Sequence, residues 1–218
     1  MDFKGLINFL KAVDKNNNKD WFDANRPVYE ALRKEWIVFL DNLISELQKI
    51  DAGLNGLEAK ACIFRINKDV RFSKDKSPYK TNFGALMNRG GKKSNYAGYY
   101  LHIDPKEIFI AGGSYQPSPE LLASVRQEID YNLDEWKGIV DNKQVFKHFG
   151  GISGANLVRP PKGYEIDNPA IEYLKRKNFV YMQQFEVADL YSEKFLKSIL
   201  EAYAAMKPMN DFINRCVD

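Results

Sequence analysis

Between positions 65 and 80, six cationic side chains (Arg65, Lys68, Arg71, Lys74, Lys76 and Lys80) face only two carboxylates, Asp69 and Asp75. This segment carries +4, whereas the whole 218-residue chain carries +3, so the basic excess is local. Arg65 and Arg71 can hold a phosphate or carboxylate in bidentate fashion, while Lys74, Lys76 and Lys80 act as compact point charges. Ser73, Ser77, Tyr79 and Thr81 add hydroxyl donors. That is the inventory of an anion site, with Arg65, Arg71, Lys74, Lys76, Tyr79 and Lys80 as candidates. Two other readings of the same residues stand beside it. Asp69 and Asp75 can tie the cations into a loop-anchoring network, or one of them, or Tyr79, can serve an enzyme as acid or base while Arg71 stabilises developing charge.

Two further stretches are candidates to join the site. Arg159 and Lys162 flank a proline pair whose rigid backbone can present them towards the basic segment. Arg89-Gly90-Gly91-Lys92-Lys93 fails the spacing of a phosphate loop and reads as a flexible basic turn. Aromatic residues lie among these charges. Phe72 and Tyr99 are expected in the core, whereas Tyr96 and Tyr100 fall on the opposite strand face. Cations interleaved with rings suit single-stranded nucleic acid, but a phosphate-bearing small molecule is the favoured partner. An interaction module docking an acidic partner is a further alternative.

The words Lys68-Asp69-Val70-Arg71-Phe72-Ser73-Lys74-Asp75-Lys76-Ser77-Pro78-Tyr79-Lys80, with Phe64-Arg65 before them and Thr81-Asn82-Phe83-Gly84 after, resemble the signature of the family catalogued as domain of unknown function 2461. Gly98-Tyr99-Tyr100, Gly112-Gly113 and Arg159-Pro160-Pro161-Lys162-Gly163-Tyr164 extend the resemblance over most of the chain. Asn67-Lys68 departs from the family's expected tyrosine-like residue and arginine, keeping the charge but losing the planar fork. The resemblance implies a shared fold and a role for the segment, and it implies no particular activity.

The elements that must position these residues follow from periodicity. Phe3, Leu6, Ile7, Leu10 and Val13 recur at helical spacing until Asn16-Asn17-Asn18 break the pattern. From Pro27 a long apolar stripe runs to Ile50. Residues 59–66 read as a strand leading into the basic segment, and 83–87 as a second. Residues 96–103 alternate well, and Asp104-Pro105-Lys106-Glu107 supplies a turn before the strand 108–114, which predicts a hairpin. Ser118-Pro119-Glu120 signals a helix over 119–131, followed by shorter helices over 133–140 and 145–149. Residues 150–164 read as irregular. A helix ending near Lys177, a strand over 179–187 and a long helix capped by Ser192 and interrupted at Pro208 complete the chain. The expectation is one α+β domain over 1–218: a largely antiparallel sheet with helices packed on it and helical N- and C-terminal segments.

Composition narrows the function classes. With 44% hydrophobic residues the chain supports a sizeable core. No segment approaches the roughly 18 apolar residues of a membrane span, and the start lacks a signal-peptide pattern. Cys62 and Cys216 are too few and too far apart for a disulfide framework, so a cytoplasmic setting is expected. Cys62 reads as a small core residue. His102 and His148 are the only histidines and belong to no ligand-spaced cluster, so neither a metal nor a cofactor is expected. Gly112 and Gly113, at a strand end, fit a bulge or a close backbone approach to a ligand, the bulge being preferred.

Overall fold

The computed structural model describes residues 1–217. Helix α1 (Phe3–Lys15) starts where the Asp2 side chain accepts a hydrogen bond from Gly5 N–H, and it buries Leu6, Ile7, Phe9, Leu10 and Val13. The asparagines after it make a brief turn, and Asn18 caps a second helix, α2 (Lys19–Ala24), between the two helices expected from periodicity. Helix α3 (Arg26–Gln48) places Pro27 in its first turn and buries Leu32, Trp36, Leu40, Leu43, Ile44 and Leu47, the stripe read from the sequence.

Residues 59–66 correct an expectation. Ala59–Cys62 forms one helical turn, α4, and only the residues beyond it are extended. Ile63 bridges Ala85 and Phe64 N–H donates to the Gly84 carbonyl, so this piece lies along the edge of the sheet. Ala59, Cys62, Ile63 and Ile66 are the buried members, a spacing closer to helical than to the alternation of a strand.

The sheet is a four-stranded antiparallel meander, β1 (Phe83–Met87), β2 (Gly98–Asp104), β3 (Glu107–Ser114) and β4 (Phe179–Phe185), in that order. The expected hairpin is β2–β3, with Leu101 opposite Ile110 and Asp104 opposite Glu107. Between β3 and β4 run α5 (Pro119–Tyr131), α6 (Leu133–Val140), α7 (Lys143–Phe149) and α8 (Ile171–Leu174). After β4, a single turn α9 (Val187–Leu190) leads into α10 (Phe195–Asn214). The fold is α+β, with helices at both ends of the chain as expected.

Helix α10 lies across the sheet face formed by Ala85, Met87, Tyr99, Leu101, Ile103, Ile108, Ile110 and Tyr181, all buried. It does not stop at Pro208, contrary to expectation. Pro208 and Ala204, whose carbonyl loses its partner, both lie on the exposed side, where water can reach that carbonyl, while Met206, Met209 and Phe212 hold the helix on the core. Tyr203 donates to the Tyr100 carbonyl at 2.8 Å, and Asn214 bonds both the N–H (2.7 Å) and the carbonyl (3.3 Å) of Ala97.

Gly112 and Gly113 are not a bulge, because the ladder runs without interruption through Gly112↔Tyr181 and Gly113↔Val180. They are a close approach to the protein's own chain. A side chain on Gly112 would overlap Met206, and one on Gly113 would strike the Phe179 carbonyl and lie 2.8 Å from Met209 Cε. Gly113 also has φ +113, a conformation costly for any other residue. Gly113→Ala should therefore cost about 3 kcal/mol or more, read as a lower urea midpoint at unchanged slope.

Candidate anion site

The basic segment folds as a projecting arm with a pinned base. Lys68 N–H donates to the Pro78 carbonyl and Lys80 N–H to that of Ile66, both at 2.8 Å, and Asn67 faces Tyr79 in an antiparallel bridge. Asn17, just after α1, fastens this ribbon. Its Nδ2 donates to the Tyr79 carbonyl at 2.9 Å, and its Oδ1 accepts from Tyr79 N–H at 3.0 Å. The Tyr79 ring stacks on Phe22 of α2 at 3.9 Å between centroids.

The outer part of the arm is an ion-pair network. Arg71 donates to Asp69 through Nε (3.0 Å) and Nη2 (2.7 Å). Asp75 accepts from Lys68 and from both the N–H and the hydroxyl of Ser77. Lys76 donates to the Val70 carbonyl at 3.0 Å. Arg71 holds Asp69 below the usual carboxylate range, and Lys68, then Ser77, hold Asp75 well below it. Carboxylates so committed are weak bases at neutral pH, and neither lines a cleft with the other candidates. The loop-anchoring reading therefore describes Lys68, Asp69, Arg71 and Asp75. Phe72, expected in the core, is instead 96% exposed beside the Arg71 guanidinium, because the arm projects from the domain and places nothing over the ring.

Beneath the arm lies an open cleft of about 570 Å³. Helix α3 supplies Arg26, Tyr29 and Arg33 to one wall; α4 and the extended piece after it supply Lys60, Phe64 and Arg65 to another. Tyr79 and Lys80 come from the arm's base, and Lys92 from the turn between β1 and β2. Six cations thus line the cleft, and its lining includes no carboxylate and no histidine. Arg33, Lys60 and Arg65 form no ion pair among the described residues. Arg26 pairs with Asp23, and Lys92 Nζ donates to the Ala61 carbonyl at 3.2 Å. Burial first, and the Arg65 charge second, push the Lys80 ammonium below its usual value, while its Nζ sits 5.6 Å from the centre of the Phe64 ring. Cys62 is buried nearby, and burial raises its thiol to about 11, which leaves it an inert core residue as expected.

Of the eight residues singled out in the sequence, Arg65, Tyr79 and Lys80 meet in this cleft. Arg71, Lys74 and Lys76 stay on the exposed outer arm. Arg159 and Lys162 do not converge with them. Their segment is bound to the opposite end of the sheet, through Ser153 against Val180 of the edge strand β4 and Asn156 against Arg176. Sequence reasoning missed Arg26, Arg33 and Lys60. Arg26 and Arg33, seven residues apart on a helix, share one side two turns apart, a signal available in the sequence but unremarkable without the neighbouring wall. Lys92 belongs to the basic turn already noted.

A family model described as a conserved hypothetical protein, DUF2461, matches residues 5–212. The chain belongs to this family. The match spans α1 to α10, so the arm, the cleft and the sheet of this DUF2461 member all fall inside it. No curated protein and no solved structure matches the chain. Among the described residues, no helix is long and apolar enough to cross a membrane, and no three side chains are grouped to hold a metal ion.

The double hydrogen bond from Asn17 predicts a mutational effect. Asn17→Ala strands the N–H and carbonyl of the buried Tyr79 and should cost about 1–3 kcal/mol. Faster tryptic cleavage at Arg71, Lys74 and Lys76 should accompany it, checked by limited proteolysis alongside urea denaturation.

Proposed function

We propose that this protein binds a phosphate-bearing small molecule in the cleft beneath the arm. One observation carries the reading: six cationic side chains drawn from four separate parts of the chain line one cleft without a carboxylate among them. In the outer arm, by contrast, Arg71 and Lys68 have carboxylate partners in Asp69 and Asp75. Like charges gathered without counter-charge repel, and an anion relieves that repulsion. The volume falls in the range of small-ligand sites. Arg33 and Arg65 offer planar forks for bidentate contacts, and Lys60, Lys80 and Lys92 add point charges. The lining includes no carboxylate and no histidine to transfer a proton, and burial pushes the Tyr29 phenol up despite Arg33 and Arg26; binding is therefore favoured over acid–base catalysis. Two free cysteines fit a reducing, cytoplasmic setting, where phosphorylated metabolites abound.

A thermal-shift screen with pyrophosphate, sugar phosphates and nucleotides tests this directly, because a ligand of the native state raises Tm by mass action. Arg65→Ala and Arg33→Ala should each weaken the best ligand about ten-fold or more. Lys74→Ala, on the outer arm, should leave it unchanged. No shift with any anion, or an equal loss in Lys74→Ala, rules the site out.

A further inference from the structure

The sheet face turned away from α10 carries Leu86, Tyr100, His102, Phe109, Met182 and Gln184, none of them fully buried. An antiparallel sheet usually presents polar residues on its wet face. Here a row of rings occupies it, and the row begins at the wall of the basic cleft. Phe64, 40% exposed and part of that wall, lies 6.2 Å from Tyr100; Tyr100 lies 5.8 Å from Phe109, and His102 stacks on Phe109 at 4.6 Å.

Tyr100 is laid along the sheet. A Cβ on Gly84 would meet Tyr100 Oη at 2.6 Å and Cζ at 3.3 Å, so the ring covers the neighbouring strand where that strand has no side chain. Its hydroxyl is held 3.0 Å from Nδ1 of His102. The ring is thereby fixed while remaining partly exposed, and little side-chain entropy remains to be lost on stacking.

We infer that the anion held in the cleft is the phosphate of a nucleotide whose base stacks on the ring row beginning at Phe64 and Tyr100. This rests on the cleft being an anion site and adds the class of ligand. Inorganic polyphosphates and sugar phosphates have no flat apolar group to cover the rings, whereas every base has a stacking face. The nucleotide unit can be free or part of a single strand, and the two sources behave differently with salt.

The test is calorimetric titration of the full chain with pyrophosphate, ribose 5-phosphate, a nucleoside diphosphate and a short oligothymidylate. The nucleoside diphosphate or the oligonucleotide should bind at least about ten-fold tighter than pyrophosphate. That advantage should vanish in Tyr100→Leu and persist in Tyr100→Phe, with pyrophosphate binding unchanged in both. Should Tyr100→Leu fail to fold, Phe64→Ala, whose ring also packs on Lys80, should lose the advantage of the base-bearing probes, read as the ratio of their affinity to that for pyrophosphate and not as pyrophosphate binding itself. Tightest binding by oligothymidylate with a steep loss in salt identifies a single strand as the source, and tightest binding by the diphosphate with shallow salt dependence identifies the free nucleotide. Equal affinity for pyrophosphate and both base-bearing probes, or equal loss of all probes in Tyr100→Leu and Phe64→Ala, overturns the inference while leaving the anion site standing. Failure of pyrophosphate and every other anion removes the anion site itself.

Discussion

Helix α10 rests directly on β3 because Gly112 and Gly113 leave room for Met206 and Met209, and the layering of the molecule follows from that contact. One face of a four-stranded sheet is thereby sealed by a long helix, with α1 and α3 joining the same apolar core. The interior is close-packed, so the glycines cannot be replaced without moving the helix or the edge strand. The β1 edge, at the other side of the sheet, remains available for the extended residues after α4, which pair with it through Ile63 and Phe64. That pairing sets Arg65 and the root of the arm opposite α3 and so creates the cleft.

Gathering six cations there works against folding in isolation, and at Lys80, whose pKa is lowered mostly by burial, the Arg65 charge lowers it further. The cost is moderated by exposure. Lys60 and Arg65 reach into solvent, Arg26 keeps Asp23, and Lys80 leans on the Phe64 ring. A sequence that breaks a local rule at one place while obeying it elsewhere marks a functional site more often than a defect.

Much of the fold was legible because short-range rules decide it. Alternation and the Asp-Pro turn specify the β2–β3 hairpin, and Ser118 with Pro119 specifies the start of α5. The misses share one cause, which is tertiary context overriding local pattern. Residues 59–62 coil because their buried positions follow the wall they pack against. Pro208 stays helical because the carbonyl it frees lies on the solvent-exposed side of α10. Phe72 is exposed because the arm projects from the domain instead of folding onto it. The candidate site was legible only in part for the same reason. Arg65, Tyr79 and Lys80 stand in an unusual segment, but Arg26, Arg33 and Lys60 sit in ordinary helical surroundings and acquire meaning only once α3 faces the extended piece after α4.

The +4 of the basic segment resolves into two halves with different work. In the outer arm, Asp69 and Asp75 engage Arg71 and Lys68 and give a loop of irregular backbone its internal bonds. At the base, Arg65 and Lys80 form no ion pair among the described residues and line the cleft. Asn17 and Phe22 fix the root of the arm, which on the proposed reading holds the two base cations in place before a ligand arrives. Such preorganisation lowers the entropy lost on binding. On the proposed reading, the density of charge in the segment serves two neighbouring tasks, internal bonds for the outer arm and an anion site at its root, and only the second of them requires an anion.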